Sequence, residues 1–107
     1  MSVLDDLIKA RDHISDPAMW YKGGYSDDGR TGAEDGFPCC AMGALVWVNP
    51  DVGIFCNDAY RPLRDALPAE WTSIPYFNDA PATTHADILA LFDRAIAAER
   101  AKIGGAL

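Results

Sequence analysis

The chain has 107 residues, which is enough for one ordinary domain and too few for two well-packed ones, so we expect a single domain over 1–107. Half of the residues are apolar and 23% are charged, a balance typical of globular proteins and distinct from disordered chains. Sixteen acidic residues against nine Lys and Arg give a formal charge of −7, which repels a phosphate backbone and argues against direct nucleic-acid binding.

The N-terminal segment predicts an amphipathic helix of about three turns. Ser2 and Asp5 have the spacing of a capping box, and the apolar residues that follow recur with helical period at Val3, Leu7, Ala10 and Ile14. Asp16-Pro17 ends this helix, because the residue before a proline is pushed out of helical geometry. The glycines, charges and proline between 17 and 36 fit no periodic segment and predict a long irregular loop.

The segment 39–48 predicts a second helix that is apolar nearly all round and therefore buried at the centre of the fold. Pro38 suits the first position of this helix, where a missing N–H costs nothing. A strand is the alternative, because Val-Trp-Val is prone to form one, but the Ala-Met-Gly-Ala-Leu composition favours a helix.

Two further helices are predicted in the second half of the chain. Asn57 or Asp58 can cap a short third helix that runs to about Leu67, and prolines between 71 and 81 predict a second irregular segment. Thr84 and Asp87 form a capping box before a stripe at Ile88, Leu91, Phe92, Ala95 and Ile96, and Gly104-Gly105 supplies the stop. We therefore expect a mainly α fold with about four helices in orthogonal or bundle-like packing and two long irregular loops.

Three segments carry a resemblance to a known family: CCAMGALVWV (39–48), YFNDAP (76–81) and THADILALFDRAIAA (84–98). Together they resemble a family of short bacterial and phage proteins with a Cys-x-x-Gly-Ala-Leu segment, a Trp-Asn-Asp-x-Pro segment and a helix containing Leu-Asp-Arg-Ala-Ile. Phe77 replaces the tryptophan of that pattern, which keeps an aromatic ring and loses an indole N–H donor. The resemblance implies no activity. The matching positions are Cys40, Gly43, Ala44, Leu45, Asn78, Asp79, Pro81, Asp93, Arg94 and Ala95.

Asn78 and Asp79 are the best candidates for a site. As a turn they would bond to the local backbone, and as a projecting pair they would enter a pocket lined by Trp20, Trp47, Trp71, Tyr76 and Phe77. Asp79 could instead pair with Arg94 or cap the last helix, which would make it architectural. The ligand-binding residues we predict are Trp20, Cys40, Phe77, Asn78 and Asp79.

Cys40 has a functional and a structural interpretation. At the start of a helix its thiol could act as a nucleophile, with His85 as base and Asp79 as orienter. A buried structural thiol is favoured, because the neighbouring residues are apolar and no cysteine-enzyme signature surrounds it. His85 is expected to be exposed at the start of the last helix and incidental. No Cys-x-x-Cys pair occurs, so neither a metal nor another cofactor is predicted.

The compartment is expected to be the cytoplasm. The N-terminus has acids where a signal peptide needs positive charge, and the longest apolar run, 37–48, is shorter than the ~20 residues of a membrane span. The cysteines are odd in number and Cys39 adjoins Cys40, so reduced thiols are the simplest state, with a bridge to Cys56 left open. The acids, including Asp5-Asp6, are interpreted as a solvated surface.

Three functions are consistent with this sequence. The first is a non-enzymatic binding or accessory module, of phage or mobile-element origin, which acts on a host protein or a small ligand through its acidic loop at 24–36 and nearby aromatics. The second is a small hydrolase or transferase that uses Cys40. The third is a structural homo-oligomer, and we expect either a monomer or a homodimer in solution.

Overall fold

The computed structural model describes residues 3–20, 40–48 and 58–105. Within these ranges the chain forms five α-helices, one 3₁₀ turn and no β-strand, which confirms the mainly α class with one helix more than expected. Cys39, Asn57 and the loop 24–36 lie outside the described residues. The helices are α1 (Val3–His13), α2 (Ala41–Val48), α3 (Tyr60–Asp65), α4 (Ile74–Asp79) and α5 (His85–Gly105), and the 3₁₀ turn is Pro17–Met19.

The first helix, α1, has the three turns that the sequence predicts. Leu7, Ala10 and Ile14 are fully buried, which confirms the apolar stripe. The 3₁₀ turn begins at Pro17, and the Asp16 carboxylate accepts a hydrogen bond of 2.9 Å from the Ala18 N–H. Asp6 departs from the expected solvated surface, because its side chain is only 5% exposed and its Oδ1 has no hydrogen-bond partner within the described ranges.

The second helix, α2, is the buried central element. Ala41, Ala44 and Leu45 have no exposed surface, and α2 packs against both α1 and α4. The helix confirms our preference over a strand, but it begins at Ala41, two residues later than predicted. A helix this apolar must be covered by its neighbours, and its small residues let those neighbours approach closely.

The third and fourth helices differ from the sequence-based expectation. α3 ends at Asp65 rather than near Leu67, and its N-cap is Ala59, with no side-chain cap bond, rather than Asp58. α4 occupies part of the segment 71–81 that we expected to be irregular: Ser73 caps it by accepting a bond of 3.4 Å from the Tyr76 N–H. Pro75 is compatible with this helix, because in the first turn its missing N–H breaks no helical hydrogen bond.

The last helix, α5, has 21 residues and supplies a large part of the core. The capping box is confirmed, since Thr84 N donates to the Asp87 carboxylate (2.9 Å) and Asp87 N donates to the Thr84 hydroxyl (3.2 Å). The helix ends at Gly105, so the glycine pair expected to stop it forms its last two residues. The apolar stripe packs against α1 and α3, and its buried members are Ile88, Leu91, Phe92, Ala95 and Ile96. None of the described helices combines the length and apolarity of a membrane span.

Candidate functional site

Asn78 is the centre of a buried hydrogen-bond network on α4. Its Oδ1 accepts two bonds, one of 2.7 Å from the indole Nε1 of Trp20 and one of 3.2 Å from the backbone N–H of Ala41. Its Nδ2 donates to the carboxylate of Asp79 over 2.9 Å. Because Asn78 is fully buried, this amide satisfies donors that would otherwise be deprived of water, one of them at the N-terminus of α2.

Cys40 is the residue before the first turn of α2 and is 5% exposed. Its Sγ accepts a hydrogen bond of 3.3 Å from the Gly43 N–H, in the way that a serine hydroxyl serves as an N-cap. Cys40 and Asn78 therefore share the capping of α2. The Cys40 sulfur accepts the backbone N–H of the third helical residue, Gly43, and the Asn78 Oδ1 accepts that of the first, Ala41. This agrees with the interpretation of Cys40 as a structural thiol.

His85 is half-buried and joins two distant parts of the chain, so its predicted exposure is wrong. Its Nε2 lies 2.7 Å from the carbonyl oxygen of Ile14, at the end of α1. Because a carbonyl can only accept, Nε2 carries the proton of this bond. The imidazole also lies against the indole of Trp20, with ring centroids 5.7 Å apart. His85 thus holds α5 to the end of α1 and packs against the ring of Trp20.

Arg94 plays a similar part at the end of α3. Its Nε donates over 3.0 Å to the carbonyl oxygen of Ala66, which follows the last residue of α3. A charge-assisted bond to a terminal carbonyl is favourable, because that carbonyl has no partner inside its own helix. The ion pair between Asp79 and Arg94 that the sequence suggested is not formed among the described residues.

A cleft of about 300 Å³ opens between α4, the segment after α3 and one face of α5. Its apolar surface includes Trp71 and Phe77, whose rings make an edge contact with centroids 5.7 Å apart. The α5 face contributes Asp87, Ala90 and Arg94, which recur with helical spacing and so lie on one side of the helix. The other lining residues are Pro68, Glu70, Ala80, Ala82 and Thr83.

A second cleft, of about 220 Å³, continues along α5 beyond Arg94. Arg94 lines both clefts, and the second is bounded on its other side by Pro62, Asp65 and Ala66 of α3 and the residue after it. From Asp87 to Lys102 the two clefts follow α5 over fifteen positions, which is about 22 Å at 1.5 Å per residue. Two open clefts therefore lie in succession along α5 and share Arg94, and we call the two together the groove along α5.

The structure therefore divides the predicted site residues between two places. Trp20, Asn78 and Asp79 are joined by hydrogen bonds, and Cys40 adjoins Ala41 in the same network. Phe77 points instead to the cleft, where it is 6% exposed. The single aromatic pocket that we considered is not formed by the described residues: Trp20 belongs to the network, Trp71 and Phe77 to the cleft, and Tyr76 is 75% exposed. The side chain of Trp47 is not among those that the structure describes.

The sequence analysis missed the cleft wall on α5. Asp87, Ala90 and Arg94 carry a usable signal, because their spacing of three and four places them on one helix face beside the apolar stripe. We did not recognise this face as a cleft wall, because part of the opposite wall is formed by α4, a segment that we expected to be irregular.

These features define a small all-α domain in which one short helix joins a buried amide network to an open, charged groove. The chain belongs to a family of unknown function, DUF6197, whose family model matches residues 1–98. This agrees with the resemblance to a family without an assigned activity. Comparison with curated proteins and with solved structures gave no match.

Proposed function

We propose that this protein is a non-enzymatic binding module that docks a short segment of a partner protein in the groove along α5. The observation that carries the proposal is the cleft of about 300 Å³, whose lining combines the rings of Trp71 and Phe77 with the charged side chains of Glu70, Asp87 and Arg94. A partly apolar, partly charged concavity is the usual form of a binding site. Two walls of the cleft belong to α4 and α5, which the hydrogen bonds of Asn78, His85 and Arg94 hold in place, so these walls are formed before a ligand binds.

The shape of the groove favours a polypeptide over a small molecule. Small-molecule sites enclose most of their ligand, and a volume of about 300 Å³ is at the lower limit of their range. Two open clefts that share Arg94 and together extend about 22 Å would accommodate roughly six or seven residues of extended chain.

The hydrogen bonds of the candidate catalytic residues support a binding role over catalysis. The Cys40 sulfur is buried and accepts the Gly43 N–H, the His85 Nε2 donates to Ile14, and Asp79 accepts from Asn78. A cysteine hydrolase requires the base within hydrogen-bond reach of the thiol, and these bonds direct the base and its orienter to other groups. Each of the three residues has instead a contact that stabilises the fold.

The wider setting is part of the same proposal. We place the protein in the cytoplasm, as an accessory module of phage or mobile-element origin that acts on a host protein. The origin is supported by the resemblance of the three sequence segments to bacterial and phage proteins. A protein partner is supported by the charge of −7, which disfavours nucleic acid.

The test is selection from a displayed library of random hexapeptides with two matched variants. Ala90→Arg places a long side chain in the cleft, and Ala18→Arg places the same side chain at an exposed position of the 3₁₀ turn that lines neither cleft. We expect peptides that bind the wild-type protein and Ala18→Arg but not Ala90→Arg, with circular dichroism confirming that both variants fold. Enrichment of no such peptides, or equal binding by both variants, would contradict docking in the groove.

A further inference from the structure

The charges along the groove specify the kind of segment that fits it, an inference that rests on the proposed function. We infer that the docked segment is dipolar, with a basic and an acidic side chain about 10 Å apart and apolar residues between them. The basic side chain lies at Asp87, and the acidic one lies at Arg94.

The spacing of the cleft charges follows from helix geometry. Asp87 and Arg94 are seven positions apart on α5, which is two turns and about 10.5 Å along the axis. Both line the same cleft, so a ligand that occupies its length meets an anion near one end and a cation near the other. Glu70, from the segment between α3 and α4, adds a second anion to the lining.

Both charged groups of α5 are held by the fold rather than carried on loose side chains. One carboxylate oxygen of Asp87 accepts the Thr84 N–H, which leaves its second oxygen as an acceptor for a ligand. Arg94 is anchored through Nε to Ala66, and Nε–H is only one of the five donors of a guanidinium. Fixing these groups before binding reduces the entropy that an ion pair with the ligand would lose.

The middle of the cleft requires apolar groups from the ligand. Ala90 lies between Asp87 and Arg94 on α5, and the rings of Trp71 and Phe77 line the same cleft. In the polyproline II conformation a chain advances about 3.1 Å per residue and turns once in three residues, so residues three positions apart lie on one side of it and span about 9 Å. The matching segment therefore has a basic residue, two apolar residues and an acidic residue, in either chain direction.

Charge complementarity of this kind affects selectivity more than total affinity. Because the charged residues of the cleft are exposed or near the surface, each ion pair should change the Kd by only about two- to fivefold. The preference for a dipolar segment should decrease as salt is added, because exposed charges are screened.

The test uses four blocked tetrapeptides and calorimetry or fluorescence anisotropy on the wild-type protein. The peptides are Ac-Lys-Leu-Leu-Glu-NH₂, the all-basic Lys-Leu-Leu-Lys, the all-acidic Glu-Leu-Leu-Glu and the neutral Gln-Leu-Leu-Gln forms. At low salt we expect the dipolar peptide to bind at least about two- to fivefold more tightly than the all-basic and all-acidic peptides, which each lose one ion pair, and about four- to 25-fold more tightly than the neutral peptide, which loses both. A protein that attracts ligands only by its net negative charge would prefer the all-basic peptide instead.

Paired variants assign the effect to the cleft. Arg94→Gln should abolish the advantage of the dipolar over the all-basic peptide, and Arg94→Lys should restore it in part. Glu70→Gln should reduce the advantage over the all-acidic peptide. The controls are Arg100→Gln and Asp12→Asn, which make the same charge changes at exposed positions outside both clefts. Melting temperatures identify any variant whose fold is damaged, and the Glu70 variant keeps the test decisive if Arg94 proves necessary for folding.

The outcomes separate this inference from the proposed function. Equal binding of all four peptides, or control variants with the same effect as the cleft variants, would overturn the dipolar segment and leave docking in the groove standing. Failure of every peptide, together with failure of the hexapeptide selection, would overturn both. Tightest binding of the dipolar peptide, lost in Arg94→Gln and kept in Arg100→Gln, is the result that we expect.

Discussion

The amide of Asn78 should be among the most sensitive polar groups in the protein. In Asn78→Ala two donors lose their acceptor, the indole Nε1 of Trp20 and the backbone N–H of Ala41. Leaving a buried donor unsatisfied costs about 1–3 kcal/mol, with the lower end expected for the partly exposed indole. We therefore expect a loss of about 3 kcal/mol, a large fraction of the 5–15 kcal/mol typical of a domain.

The assay is urea unfolding followed by circular dichroism, with two comparison variants. Trp20→Phe removes the indole donor together with part of the ring that packs against His85, and should cost about 1–3 kcal/mol. The double variant should cost less than the sum of the two single variants, because both remove the same bond. Tyr76→Ala, on the exposed side of the same helix, should change the free energy of unfolding by less than about 0.5 kcal/mol. A loss below about 1 kcal/mol in Asn78→Ala would refute this account of the network.

Three further predictions concern the scaffold. Thr84→Ala should lower the free energy of unfolding by about 1 kcal/mol in urea titrations, because it removes the hydroxyl of the α5 capping box, and an unchanged midpoint would contradict that role. Arg11→Gln should cost less than about 1 kcal/mol, and less still in high salt, because its 2.6 Å ion pair with Asp93 is exposed; a larger, salt-independent loss would be inconsistent with this interpretation. With Cys39 and Cys56 replaced by serine, iodoacetamide should label Cys40 slowly in native protein and quickly in urea when followed by mass spectrometry, and rapid native labelling would favour the cysteine-enzyme alternative.

The sequence was most informative where local signals agreed with one another. In α5 the Thr84–Asp87 capping box and the apolar stripe both indicate the same helix, and both are confirmed. In α2 the composition alone favoured a buried helix, which the structure also has. Agreement between capping and periodicity leaves few alternatives for a segment.

The sequence was misleading where one residue type has opposite meanings in different positions. Pro75 was interpreted as a helix breaker, but the preceding Ser73 cap places it in the first turn of α4, where proline is tolerated. Asp58 was expected to cap α3, but the N-cap residue is Ala59 and no side chain caps the helix.

The candidate site could be predicted only in part, because its contacts join residues far apart in the chain. Asn78 was identified as important, but whether its amide bonds locally or across the fold depends on the placement of Trp20 and α2. His85 illustrates the same limit, since its partner Ile14 lies 71 residues away and no local pattern indicates it. Sequence periodicity shows which face of a helix is buried but not which distant group meets it.

Docking in the groove along α5 is tested most directly by the indole N–H signals of ¹⁵N-labelled protein. The three tryptophans give separate signals, which Trp→Phe variants assign. On addition of the Lys-Leu-Leu-Glu peptide we expect the Trp71 signal to shift with increasing concentration, while the Trp20 signal, fixed by its bond to Asn78, stays in place. A peptide that bound while moving the Trp20 signal and leaving that of Trp71 unchanged would contradict the account.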